Sequence, residues 1–212
     1  MITVVGMGRK SGDLTADGRE AIQKADVVIV KSQLTHAWKT VCSMRSDALS
    51  CDEYYEKADD FDAMNAEIAA FVRSFGDKNV AFCVVGEGGE DTVVQLLDEA
   101  CVCHGVPLYA AAVGNKLPSG TTLYVAEDLI AATHILPRPT VVACVDDKYV
   151  ASEVQLRLTE AFDGDTAVTV ASGDGKTAIC ALDELVKQKF DYRTCIFVAP
   201  KSLAERRIFD YY

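Results

Sequence analysis

The chain has 212 residues, half of them apolar and a quarter charged, which is ordinary composition for a globular protein with a sizeable core. A net charge of -11 and a pI near 4.7 exclude a general nucleic-acid or anionic-membrane binder, because phosphate contacts need a basic surface. No apolar run approaches the ~20 residues of a membrane span.

The opening Met1-Ile2-Thr3-Val4-Val5-Gly6 lacks the charged start of a signal peptide and reads as a first strand. That reading places the protein in the cytoplasm and its eight cysteines in a reducing compartment as thiols. Cys83, Cys144, Cys180 and Cys195 lie in apolar strand-like runs, where a thiol packs as a small hydrophobe. Cys101-Val102-Cys103-His104 lacks further ligands at zinc-site spacing and reads as a core or helix-end segment.

Strand and helix then alternate. Gly6-Met7-Gly8 stops the first strand, and Thr15 is placed to cap a helix running to Ala25. Residues 26–30 form a buried parallel strand, followed by a helical stretch over 33–42. Phe61, Met64, Ile68, Phe71, Val72 and Phe75 repeat at three and four, one stripe of a helix that Gly76 ends. Residues 79–85 are another buried strand. A helix is expected over 90–103, with Val93, Val94, Leu97 and Cys101 on one side, then a strand over 108–112. Such alternation implies right-handed crossovers and a parallel sheet.

Gly114, Pro118, Gly120, Pro137 and Pro139 interrupt this rhythm, so the lobe boundary is expected near 137–140: an N-terminal α/β lobe over 1–137 and a C-terminal mixed-sheet α/β lobe over 138–212. Residues 140–145 read as a strand. Residues 149–162 read as a helix aligned on Val150, Val154, Leu158 and Phe162. Strands follow over 167–171, 177–181 and 194–198. Gly173-Asp174-Gly175 is expected as a hairpin turn.

The main chemical signal is glycine at strand ends. Gly6 and Gly8 follow the first strand, Gly86, Gly88 and Gly89 the one ending at Val85, and Gly114 the expected strand ending at Ala112. In open α/β sheets ligands bind beyond the carboxyl ends of strands, and glycine lets the backbone come close. No dinucleotide fingerprint is present, since Gly6-Met7-Gly8-Arg9-Lys10-Ser11 lacks its third glycine. Gly173-Asp174-Gly175-Lys176-Thr177 is no Walker loop, because Val170 stands where that motif needs glycine. His36, His104 and His134 show no partnered spacing, which gives no support to histidine acid–base chemistry. The acidic run Asp59-Asp60-Asp62 reads as charge at a helix start, whereas Asp146-Asp147, following a strand, stays open as a ligand candidate.

Ile2-Thr3-Val4-Val5-Gly6-Met7-Gly8, Asp13-Leu14-Thr15 and Lys24-Ala25-Asp26-Val27-Val28 together resemble the tetrapyrrole (corrin/porphyrin) methylases. Residues 54–62 and 149–160 narrow the resemblance to the methylase-like N-terminal domain of MazG-type nucleoside triphosphate pyrophosphohydrolases, over almost the whole chain. The resemblance implies two α/β lobes with a cofactor cleft between them and S-adenosylmethionine as cofactor. Carried over by position, its contacts would be Gly8 and Arg9, Gly86, Glu87, Gly88 and Gly89, Val113 and Gly114, and Ala171 and Ser172. Methyl transfer would then depend mainly on positioning. It further implies a methyltransferase acting on a small-molecule substrate of corrinoid or porphyrinoid type, as a homodimer. The alternative is a non-catalytic ligand-sensing or scaffold module paired with a pyrophosphohydrolase domain, whose junction the tail from Leu203 to Tyr212 resembles.

Three loops depart from the family pattern. The first reads Gly8-Arg9-Lys10-Ser11-Gly12-Asp13, shorter and without proline. Gly86-Glu87-Gly88 replaces Gly-Asp-Pro, and Val113-Gly114-Asn115-Lys116 replaces Pro-Gly-x-Ser. Lost prolines imply looser loops, and the lost aspartate removes one candidate acid–base group.

Overall fold

The computed structural model describes residues 1–58, 60–114, 116–173 and 176–200. The tail from Leu203 and the expected turn at Asp174-Gly175 lie outside them. The chain divides into two compact units, Met1–Pro107 and Leu108–Tyr212. Among the described residues no helix is long and apolar enough to cross a membrane.

The first unit runs β1 (Ile2–Gly6), α1 (Ala16–Lys24), β2 (Val27–Val30), α2 (His36–Cys42), β3 (Leu49–Ser50), α3 (Asp52–Lys57), α4 (Phe61–Arg73), β4 (Val80–Val84), α5 (Thr92–Gln95) and β5 (Cys101–Cys103). Its sheet has the order β3-β2-β4-β1-β5, and every pairing is parallel. The short apolar strands explain this arrangement. β4 is buried throughout, so both faces need helices. Val5, Val28, Val30, Ala81 and Cys83 turn to one face and pack under Ile22 of α1 and Val41 of α2. Val4, Ile29, Val80, Phe82 and Val84 turn to the other, under Met64, Ile68 and Val72 of α4 and Val93 of α5.

Helix starts follow the expected chemistry. The Thr15 hydroxyl accepts the Gly18 N–H at 3.2 Å, and the Asp60 carboxylate accepts the Ala63 N–H at 2.7 Å. The α4 stripe holds at Met64, Ile68 and Val72, but Phe61, one residue inside the cap, is 74% exposed.

The expected helix over 90–103 is replaced by the single turn α5 and the edge strand β5. Val93 and Val94 use their helical spacing within that turn. The chain then bends at 97–100, and Val102 pairs with Val4 at the sheet edge. Pairing there outweighs the local apolar period.

The second unit runs α6 (Ala110–Val113), β6 (Thr122–Val125), α7 (Ala126–Ala131), β7 (Thr140–Ala143), α8 (Lys148–Leu158), β8 (Ala167–Ala171), β9 (Thr177–Ala181) and β10 (Cys195–Val198). A strand was expected over 108–112. The alanine-rich run Ala110-Ala111-Ala112 forms a helical turn instead, consistent with alanine's propensity. The sheet order is β6-β7-β10-β8-β9. β6 is parallel to β7 and the other pairings are antiparallel, giving the mixed sheet expected. β6 belongs to this sheet. The division between units therefore falls at Pro107–Leu108, ahead of the expected 137–138 boundary. Its core is built from Val142, Val154, Leu158, Val168, Leu182 and Ile196.

Candidate functional site

All five strands of the first sheet point the same way, so their outgoing loops share one edge. The loops after β1 and β2 leave toward the face carrying α1 and α2, whereas the loop after β4 leaves toward α5. β4 therefore has a topological switch on both sides, the place where open α/β sheets take ligands.

At this edge the glycines pack three loops against one another. Gly8 and Gly86 form a two-way bridge, each donating its N–H to the other's carbonyl at 2.9 Å. A Cβ on Gly6 would lie 2.2 Å from the Glu87 carbonyl oxygen and 2.5 Å from the Gly105 nitrogen. Only a residue without a side chain fits there. The sequence reading aimed the Gly8 and Gly86 amides at a ligand, and they are instead bound to each other.

Arg9 is also engaged. Its backbone N–H reaches the Asp13 carboxylate at 3.0 Å and its Nε reaches the same oxygen at 3.3 Å, so Asp13 braces the shortened first loop. Glu87 carries the most functional geometry. One carboxylate oxygen accepts the Gly89 N–H at 2.9 Å, and the other meets His104 Nδ1. Burial pushes the neighbouring Glu90 carboxyl up to about 7, and the negative charge of Glu87 adds to that shift.

Between β2 and β4, Lys31 Nζ bonds both Asp91 oxygens, at 2.9 and 2.8 Å, with both side chains mostly buried. Asp91 also caps α5 by accepting the Val93 N–H at 2.9 Å. Cys51 lies fully buried near this pair. Burial pushes its thiol up to about 12, with Lys31 opposing, so it is an inert packing group.

In the second unit, β6, β7 and β8 run in one direction, so Cys144 and Ser172 follow strand ends on one edge. Val113 and Gly114 end α6, whose Ala112 joins Ala143, Ala171 and Cys195 in a cluster of small residues. Gly114 has φ +73, and a Cβ placed on it would meet nothing within 4 Å. Ala171 is buried, while Ser172 donates its N–H to the Lys176 carbonyl at 3.0 Å. Asp191 accepts the Gly173 N–H at 3.1 Å. Cys144 adopts φ +58, an unusual backbone for a side-chain-bearing residue and a mark of local strain.

Asp147 is the cap of α8, accepting the Tyr149 and Val150 N–H groups at 2.7 and 2.9 Å. Among the described residues no group of three or more His, Cys, Asp or Glu is placed to hold a metal.

Sequence reasoning missed Lys31, Asp91, Glu90 and the Glu87–His104 pair. A charged residue directly after an apolar strand, as Lys31 follows Val27–Val30, was the available signal. His104 was hidden because 90–103 was read as helix.

Three solved structures superpose on nearly the whole chain. A cobalamin-biosynthetic cobalt precorrin-4 methyltransferase matches with a TM-score of 0.65 at 14% identity, covering 93% of this chain and 94% of its own. The uroporphyrin-III C-methyltransferase of Thermus thermophilus matches at 0.64 and 16%, covering 100% and 97%. A conserved hypothetical protein from Aeropyrum pernix K1 matches at 0.63 and 16%, covering 95% and 84%. The fold is that of the tetrapyrrole methylases. No protein-family model matches the chain, and no curated protein sequence matches it. In the tetrapyrrole methylase fold of this chain, the carboxyl edge of the parallel sheet is thus built from Gly6, Gly8, Gly86 to Gly89, Lys31, Asp91 and His104.

Proposed function

We propose that the protein is an S-adenosylmethionine-dependent methyltransferase of tetrapyrrole methylase type, acting on a corrinoid or porphyrinoid. The reading is carried by the switch-point edge around β4, on a fold shared with two tetrapyrrole methyltransferases. The residues present suit a cationic adenosyl ligand in two respects. Glu87 and Glu90 place carboxyl groups at the edge, complementary to a sulfonium or ammonium. Gly88 and Gly89 bring backbone without side chains to the same edge. The residues that would hold the ligand at this edge are Glu87, Gly88 and Gly89 of the first unit. S-adenosylmethionine would supply an electrophilic methyl group, and the chain's task would be to hold it in line with the acceptor.

One observation favours a second reading, a ligand-sensing or scaffold module associated with a MazG-type pyrophosphohydrolase. The Gly8–Gly86 bridge occupies amides expected to face the cofactor. Titration calorimetry with S-adenosylmethionine and its demethylated product, followed by transfer of labelled methyl to uroporphyrinogen III, separates the two. Saturable heat with transfer supports the methyltransferase. Saturable heat without transfer supports the sensor, and no heat with either ligand defeats the methyltransferase.

A further inference from the structure

His104 stands directly after β5, and two bonds tie its segment to the loop after β4. The Gly105 N–H donates to the Glu87 carbonyl at 2.9 Å, and the Glu87 carboxylate meets His104 Nδ1. Glu87 is itself fixed, because its second oxygen accepts the Gly89 N–H. Only 22% of the Glu87 side chain is exposed, against 70% of the His104 ring. A carboxylate can only accept, so Nδ1 must carry the proton in this pair. The neutral ring then keeps its lone pair on Nε2, toward the exposed side of the pair, with an anion behind it to stabilise the imidazolium.

We propose that His104, oriented by Glu87, is the proton acceptor for methyl transfer at this sheet edge. The proposal rests on the methyltransferase reading and names the acceptor class more narrowly: one that must shed a proton from a position conjugated with its attacking carbon. The attacking carbon bonds to the methyl carbon, the carbon–sulfur bond breaks with its electron pair going to sulfur, and the proton lost from the conjugated position, a pyrrole N–H in uroporphyrinogen III, passes to Nε2. Glu87 is the positioning residue, setting the tautomer and balancing the charge.

The pair is tested first without any ligand. Side-chain ¹⁵N NMR of the full chain should show His104 with its proton on Nδ1, and Glu87→Gln should shift the ring toward the Nε2–H form. A wild-type ring already in the Nε2–H form, or unchanged by Glu87→Gln, overturns the proposal. The second readout is labelled methyl transfer to uroporphyrinogen III, with S-adenosylmethionine affinity measured in parallel. His104→Gln should lower kcat about 100-fold, within the usual range for general-base loss, while leaving the dissociation constant within twofold. Glu87→Gln should fall between. A His104→Gln kcat within twofold of wild type overturns the proposal, as does a wild type that binds S-adenosylmethionine but transfers no methyl. Absence of S-adenosylmethionine binding beside an intact Nδ1–H tautomer defeats the methyltransferase reading and, with it, the catalytic role, while the dyad stands.

Discussion

The two units use strand direction differently. In the first, every strand is parallel, so all outgoing loops gather at one edge, where glycine lets them interlock at backbone distance. In the second, β9 and β10 oppose β6, β7 and β8, so the loops divide between two edges. The small residues Ala112, Ala143, Ala171 and Cys195 pack closely there, and Gly114 lies beside open space. The same residue type thus does different work: glycine closes the first edge and leaves room in the second.

The sharpest way to break that contrast is to add one methyl group to each. Gly6→Ala should destabilise the first unit by about 3 kcal/mol or more, because the Cβ falls 2.2 Å from a backbone oxygen. Gly114→Ala meets no atom and should cost only ~1 kcal/mol, from its positive φ. Urea denaturation of both variants checks the ordering, and equal losses would refute it.

Next in size is the ion pair that bridges β2 and β4. Asp91→Ala leaves Lys31 mostly buried without its partner and uncaps α5, for a loss of about 2–3 kcal/mol. Chemical denaturation of this variant should show the deficit shrinking when Lys31→Met is added, since the orphaned charge is then gone.

Glu90→Gln should act in the opposite direction. The folded pKa of Glu90, about 7, lies above its ordinary 4.5, so the folded state binds more protons between those values. Its contribution is fully present below pH 4.5 and is lost as pH rises through 7. The variant should therefore match wild type near pH 4 and exceed it by roughly 1–3 kcal/mol at pH 8. Thermal melts across that window check both the sign and the plateau. The smallest effect is expected in the second unit, where Asp147→Ala removes the α8 cap and costs ~1 kcal/mol by the same assay.

What could be read from the sequence follows the same division. The first unit's strands are short, apolar on both faces and bounded by glycine or charge, so β1, β2 and β4 were legible, as were α1 with its Thr15 cap and α4 with its apolar stripe. Short apolar runs were not. The segments 101–103 and 108–112 fit either periodicity, and only pairing at the sheet edge or local alanine propensity decides them. β6 was obscured by the glycines and prolines around it, although Thr122-Leu123-Tyr124-Val125 is good strand composition. At the candidate site, glycine spacing singled out the strand-end loops but not their hydrogen-bond partners. Nothing in the spacing of residues 8 and 86, or of 87 and 104, announces that they meet.

The function proposed above requires an adenosyl sulfonium ligand at the carboxyl edge of the parallel sheet. Backbone amide NMR of the full chain during titration with S-adenosylmethionine tests it most directly. Saturable shifts are expected, concentrated at Glu87, Gly88, Gly89 and the residues flanking Gly105. Saturating shifts confined to other surfaces, or none at millimolar ligand, would contradict it.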